Sequence, residues 1–494
     1  MPRRVFACLG TLATVGALAL AVAVCVSSAE ASPTLPLDHA RRWITDADGR
    51  VVIVHGTNMV YKRPPYYPSA AGFGEEDAAF LQSIGFNAVR LGVMWQALEP
   101  EPGVFDETYV AHIKETIEML ASHGILSQVE MHEGMYNEQF EGVGFPNWAV
   151  EDEGKENTHD GFPYNYEFNP ALNAAFDNFW ANSPGPEGVG LQDYFTGAWH
   201  YLAAHLAGTS GIMGYEIMNE PWPGTEWTTC AALAEGKTSE PCPTFDARLD
   251  AMYDLVAPAI READPTTPIY YEPNLLFDFG APTATESPPV PNAGFAFHDY
   301  CLQENPNGCR SEAVNIANAL KHVRKTQDAL LLTEFGSSNH EGDLSGVVAK
   351  ADAKMVPWLE WAFCYCEDPL TTGGETEGLV KNLHEPPTGE NIRPEIFDAL
   401  VEPYPQLISG TPISSHFDRE TKMFTFTYSP RRAGGGKDFG EGATTEVAVP
   451  KAIYPNGYAV SATGADVTSA PGSSTLILSQ QGKPKRISVT VSPE

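Results

Sequence analysis

Eight short apolar runs recur between residues 51 and 370, with helical patterns between several of them. The runs span 51–57, 87–94, 125–131, 212–218, 268–272, 294–298, 330–335 and 361–365. In 107–124, Val110, Ile113, Ile117 and Leu120 recur at steps of three and four, which places them on one helix face, and Gly124 supplies a stop. Segments 193–206, 245–261 and 312–326 carry the same period. Strands that alternate with helices build a parallel sheet, because each parallel crossover needs a connection of helix length. Eight such units over about 320 residues predict a closed (β/α)8 barrel with long loops.

Two loops are enlarged. Residues 133–169 are rich in Gly, Pro, Asn and aromatics, and 221–243 carry Cys230 and Cys242; loops of this length in a compact domain usually serve function. Beyond Pro403-Tyr404-Pro405 the texture changes. Short β-branched or alternating runs at 423–428, 445–449, 458–462, 475–478 and 486–491, punctuated by Gly, Pro and Ser, predict a small antiparallel β-sandwich. The expected organisation is a leader over 1–31, a barrel over 32–410 and a sandwich over 411–494.

The leader reading rests on Arg3 and Arg4, the apolar stretch 5–26, and Ala29-Glu30-Ala31 as a small-x-small cleavage pattern. Export is therefore expected, with retention as a membrane anchor the less favoured outcome. Removing the leader removes Cys8 and Cys25 and leaves six cysteines, an even number that suits disulfides in an exported protein. Cys230–Cys242 and Cys301–Cys309 would each close a short loop and are the favoured pairs. Cys364-Tyr365-Cys366 lacks the companions of a zinc site, so neither a metal nor another cofactor is expected. With 64 acidic against 30 basic residues, the formal charge of −34 argues against nucleic acid as a partner and against electrostatic recruitment to anionic lipid. No obligate protein partner is evident.

Two carboxylates each close a predicted strand, the position where such barrels carry their chemistry. Glu220 ends the fourth run in Tyr215-Glu216-Ile217-Met218-Asn219-Glu220-Pro221, and Glu334 ends the seventh in Leu331-Leu332-Thr333-Glu334-Phe335-Gly336. A carboxylic acid opposite a carboxylate is what glycosidic-bond hydrolysis requires, and a separation of about 5–5.5 Å directs it through a covalent intermediate.

The pattern resembles glycoside hydrolase family 5 of clan A, and more closely its endoglycoceramidase branch. The segments that carry the resemblance are His55-Gly56-Thr57-Asn58-Met59-Val60-Tyr61-Lys62, Asn87-Ala88-Val89-Arg90-Leu91-Gly92-Val93-Met94-Trp95 and Met131-His132, then Ala175-Phe176-Asp177-Asn178-Phe179-Trp180, and finally Pro403-Tyr404-Pro405 with Gly410-Thr411-Pro412. The resemblance implies a retaining enzyme that cuts between the reducing-end glucose and ceramide of glycosphingolipids, with Glu220 as acid/base and Glu334 as nucleophile. It further implies that Arg90 orients Glu334, Asn219 holds the sugar 2-hydroxyl, and His132 binds the −1 sugar. His298 and Tyr300 match the family's His-x-Tyr, and Lys62 contacts a more distal sugar. Alignment through Asp368-Pro369 puts the aromatic platform under the −1 sugar at Tyr365, although Trp361 stands four residues earlier. Where the branch has an Asp after the third-strand His, this chain offers Glu133 and Gly134. Trp148 and Trp222 either line the substrate cleft or anchor the loops, and with Met135, Tyr136, Phe140 and Phe145 they are the candidates for an apolar surface facing the ceramide.

Alternatives within the family are an exo-acting glucosylceramidase or steryl glucosidase, an endoglycosidase restricted to galactosylceramide-linked chains, and a cellulase-like polysaccharide hydrolase. From another class, a non-catalytic carbohydrate or lipid binder is conceivable, but an intact carboxylate pair with its Arg and Asn argues against it.

Overall fold

The computed structural model describes residues 33–234, 239–300, 311–371 and 374–494. Its centre is a closed barrel of eight parallel strands: β1 (His55–Met59), β2 (Ala88–Met94), β3 (Leu126–His132), β4 (Ile212–Glu216), β5 (Ile269–Tyr271), β6 (Ala293–Asp299), β7 (Ala329–Phe335) and β8 (Trp358–Glu360). Every residue of these strands is buried, as expected when helices cover the outside and side chains fill the inside. The helix Glu107–Ser122 shows why the amphipathic runs cover them. Asp106 caps it by accepting from the Thr108 and Tyr109 N–H groups, and Val110, Ile113, Ile117 and Leu120 all face inward. Burying each such side chain contributes about 1.5–3 kcal/mol relative to exposure. Gly124, at φ 73°, takes the left-handed turn that ends the element.

Two strand readings are corrected. The run 51–57 is split: Val51–Val52 pairs with Tyr404–Ile408 in a different sheet, and only His55–Met59 enters the barrel. An apolar run shows that both pieces are buried but not that the chain changes sheets between them. The eighth strand is Trp358–Glu360, not 361–365. Trp361 comes just after it, in a parallel bridge with Gly336.

The C-terminal strands form two antiparallel layers. Asp38–Ala40, Trp43–Thr45 and Val51–Val52 join Tyr404–Ile408, Thr444–Ala448, Thr475–Gln480 and Ala465–Val467 in one sheet, while Thr411–Asp418, Met423–Ser429, Ile487–Pro493 and Tyr458–Thr463 form the other. Phe424, Phe426, Tyr428, Leu476, Leu478 and Val489 fill the space between. The N-terminal strands thus complete the sandwich sheet from across the chain. Leu37, Ile44, Val52 and Leu407 meanwhile pack on Ala88, Leu126, Met213 and Leu331 of the barrel strands.

Cys230 is joined to Cys242, as the spacing suggested, and Cys364 to Cys366. The expected Cys301–Cys309 pair and the leader lie outside the described residues. Among the described residues, no helix is long and apolar enough to cross a membrane.

Candidate active site

Glu220 sits four residues beyond β4, at φ 44°. That is a left-handed conformation which costs a non-glycine residue and persists only where neighbours enforce it. Here they do. The Glu220 N–H donates to Glu272 Oε2 at 3.1 Å, the preceding Asn219 N–H donates to the Met131 carbonyl at 3.1 Å, and the Asn219 amide donates to the Glu133 carbonyl at 2.8 Å. The Glu220 side chain is turned to His298, whose Nδ1 lies 2.9 Å from Oε1. It keeps 16% of its side-chain surface exposed, against 4% for Glu334, so the first carboxyl is the more accessible from solvent.

Glu334 lies at a register shift between β6 and β7, where Leu332 pairs with Phe297 and Glu334 with His298. A bulge of this kind re-aims a side chain at the end of a strand. Two donors fix its carboxylate: Arg90 Nη1 reaches Oε1, and the Tyr300 hydroxyl donates to Oε2 at 2.7 Å. An oxygen of Glu220, an oxygen of Glu334 and a ring nitrogen of His298 all lie within 4.8 Å of one another. Such closeness falls on the short side of the two carboxyl spacings and matches the geometry of covalent rather than single-displacement hydrolysis.

Arg90 is the hub. Fully buried on β2, it contacts Glu216 at 2.7 Å, Glu272 at 3.2 Å and Glu130 at 3.8 Å as well as Glu334, and it donates to Asn58 Oδ1 at 3.2 Å and Asn219 Oδ1 at 2.9 Å. Burial disfavours its charge, but the surrounding carboxylates outweigh that and hold the guanidinium firmly protonated. One cation cannot balance so many carboxylates. Burial pushes Glu130 up to about 8, and burial with the neighbouring Glu216 charge holds Glu272 well above the usual range. Against the same burial penalty, Arg90 keeps Glu216 ionised. The crowding of carboxyls around one cation thus biases Glu130 and Glu272 toward the neutral form.

His132 is brought into the same cluster. Its Nδ1 is 2.9 Å from Glu130 Oε1, and burial together with Lys62 keeps the ring neutral. Lys62 donates to Asp368 Oδ2 at 2.7 Å and stands 4.3 Å over Trp361, whose ring stacks on His132 at 5.6 Å. Trp361, rather than Tyr365, therefore carries the aromatic surface beside His132; Tyr365 lies farther out on the turn that the Cys364–Cys366 bond closes. Glu133 accepts from the Tyr136 N–H at 3.1 Å, and burial with the nearby Glu220 charge holds its carboxyl well above the usual range.

The apolar candidates need correction. Met135, Tyr136, Phe140, Phe145 and Trp222 are each 3% exposed or less. Tyr136 stacks on Phe145, and Trp222 packs on Tyr166 while its indole donates to Asn173. Trp148 donates to the Glu99 carbonyl and packs edge-on against Trp95 and Tyr194. They are the core of the long loop and hold it in place. Sequence shows that a loop is aromatic but not which way its rings point; Tyr164 and Phe168, 58% and 57% exposed, are the ones that face solvent.

Several residues of the cluster escape a reading from motifs. Glu130 and Glu216 lie within predicted strands, where alternation alone would have shown them facing the barrel interior as charged residues, and Asn58 directly follows the first run. Glu272 ends the fifth run much as Glu334 closes the seventh and Glu220 follows the fourth, and that was the available signal. Asp278 lies on a one-turn helix, Leu275–Phe279, and nothing in the sequence marks it.

Residues 45–367 match the family model described as cellulase (glycosyl hydrolase family 5), and 403–491 match the glycoside hydrolase family 5 C-terminal domain. Endoglycoceramidase I of Rhodococcus hoagii is 32% identical over 464 residues, covering 90% of this chain and 85% of that protein. An endoglycoceramidase of Cyanea nozakii is 27% identical over 81% of this chain and 82% of its own. The solved lactosyl-enzyme intermediate of endo-glycoceramidase II from Rhodococcus sp. superposes with a TM-score of 0.70 at 25% identity, covering 91% of this chain and 99% of that one.

Proposed function

This chain belongs to glycoside hydrolase family 5, and from that premise we propose that it is a retaining endo-β-glycosidase that releases the intact oligosaccharide and ceramide from glycosphingolipids. The observation that carries this reading is the proximity of Glu220 and Glu334, each held by its own partners, in a chain similar along nearly its whole length to endoglycoceramidases. In the first step Glu334 attacks the anomeric carbon while Glu220 protonates the departing ceramide oxygen. In the second, Glu220 takes a proton from water, whose oxygen displaces Glu334 from the sugar. Arg90 and Tyr300 keep Glu334 oriented for in-line attack, and Asn219 is placed to meet the 2-hydroxyl. Trp361 offers a flat apolar face to the sugar ring, with His132 and Lys62 beside it.

The fate of the sugar tests this reading. Lactosylceramide or a longer glycolipid is expected to yield one intact oligosaccharide and free ceramide, with the β-anomer formed first. Mass spectrometry of products and early-time NMR of the anomeric proton measure both. Monosaccharides released one at a time would shift the reading to an exo enzyme. An α-anomer as first product would exclude the double displacement. Export with cleavage near Ser32 belongs to the same reading, and N-terminal sequencing of protein from the culture medium checks it.

A further inference from the structure

A third carboxyl reaches Glu220, and the two-carboxylate mechanism has no place for it. Asp278 is 3% exposed at its side chain, and its Oδ2 lies 3.9 Å from His298 Nδ1, the nitrogen that stands 2.9 Å from Glu220 Oε1. The Asp278 carboxyl is in hydrogen-bond contact with that of Glu220, yet Oδ2 has no donor among the described residues. A buried acceptor and a partly buried one face each other. Such a contact is stable only with a proton between them.

The backbone that carries Asp278 is held at several points. The helix that carries it is tied to the acid/base loop by the Leu275 N–H donating to the Pro221 carbonyl at 3.1 Å. The Asp278 carbonyl accepts from the Tyr300 N–H at 3.2 Å and from the Asn315 amide at 2.6 Å. Asn274 caps the helix and is itself anchored to Asp246 at 2.8 Å. The position is built, and it is built onto both Glu220 and the strand end that carries Tyr300.

We infer that Asp278 holds the proton that Glu220 delivers, as a positioning residue that acts through Glu220 and does not touch the substrate. This rests on the retaining reading above. In the free enzyme Asp278 is the carboxylic acid and Glu220 the carboxylate. As the ceramide oxygen approaches, the proton passes from Asp278 to Glu220 and on to that oxygen while the anomeric C–O bond breaks and Glu334 forms its ester. Two carboxylates remain on the pair as one is neutralised at Glu334, so the charge of the site is unchanged. In the second step water gives its proton to the pair, its oxygen bonds to the anomeric carbon, and Glu334 leaves as carboxylate. The electrostatics agree in direction. Burial and the Glu220 charge hold Asp278 well above the usual carboxyl range; burial opposes charge on Glu220 too, but the His298 contact keeps it below.

The groups facing the pair are His298, Asp299 and Tyr300 from β6 and its end, Glu334 from β7, and Glu272 beyond β5, which meets His298 Nε2 at 3.5 Å. From the β3 side come Glu133, His132 and Tyr166, with Lys62 farther off. Of these, Asp299 is itself pushed up to about 7 by burial and contributes to the same pH range.

Asp278→Asn is the test, because an amide keeps the shape and can still donate to Glu220 but has no proton to give. On a glycolipid, the alkaline limb of kcat/KM is expected to move down by about one pH unit or more, with kcat near neutral pH lowered about 10–100-fold, a share of what general acid help provides. The loss on an aryl lactoside with an activated leaving group should be much smaller. An alkaline limb that stays in place in a variant with wild-type Tm overturns the inference, and so do equal losses on both substrates, which would mean a structural role. If Asp278→Asn does not fold, Asp278→Ser reads the same limb without placing an amide against the Glu220 carboxyl. Glu220→Gln, run alongside, separates the two levels. If it spares the aryl lactoside while Asp278→Asn leaves the limb alone, only the Asp278 inference falls; if it loses equally on both substrates, the acid assignment itself falls.

Discussion

Glu334→Ser is expected to abolish hydrolysis and to turn the protein into a catalyst of synthesis. Only the attacking carboxylate is lost. Arg90 keeps its contacts to Glu216 and Glu272, and Glu220 keeps its N–H bond to Glu272 and its contact with His298, so the acid/base machinery survives. Loss of a covalent nucleophile commonly costs on the order of 10⁴–10⁶-fold in kcat. The serine also opens space for a fluoride on the face from which Glu334 attacked. An α-glycosyl fluoride of lactose presents the anomeric configuration of the covalent intermediate, and Glu220 as base can then activate the primary hydroxyl of a sphingoid acceptor. Product should accumulate, because the variant cannot hydrolyse it. Glycolipid hydrolysis and coupling yield are both read by chromatography. Hydrolysis near the wild-type rate, in protein free of wild-type contamination, would remove Glu334 from the nucleophile role.

The barrel and both flanking carboxylates were legible because their signals are local. A strand buried on both faces must be apolar along its length, and a carboxylate at its end has few reasons to be there. Arg90, Asn219, His298 and Tyr300 were reached through the resemblance, and the structure gathers them around the two glutamates. What stayed hidden depends on direction or on distant pairing. Val51–Val52 and His55–Met59 form one run in sequence but two elements in space, because the first is claimed by Tyr404–Ile408, some 350 residues on. The rings of Tyr136, Phe145 and Trp222 are indistinguishable in sequence from ligand-facing aromatics, and only the packing turns them inward. Trp361 was displaced from its role by a strand boundary set three residues late. Glu130, Glu216, Glu272 and Asp278 were overlooked because a motif search rewards residues that meet substrate, whereas these meet one another.

Arg90→Met should then be the most damaging single change away from the reacting carboxyls, in stability as well as in rate. Methionine matches the stem of arginine and removes only the guanidinium. Glu334 and Glu216 would be left buried at 4% and 0% side-chain exposure without the guanidinium that both contact, and stripping one partner from a buried ion pair costs about 3–5 kcal/mol. The carboxylates can escape part of that cost by taking up protons. A carboxyl whose pKa is higher folded than unfolded destabilises the fold increasingly as pH rises, so the deficit should be larger at about pH 7.5 than at about pH 5. Protonation also silences Glu334 as a nucleophile, so residual activity should be low and its acid limb displaced upward. Arg90→Lys restores one charge but not the fork that reaches Glu216 and Glu334 together. It is expected to recover much of the stability and little of the rate. Urea unfolding at the two pH values, with kcat on an activated lactoside, measures both effects. A stability deficit that is the same at both pH values would show that the carboxylates around Arg90 do not need its charge, and the hub assigned to it would have to be abandoned.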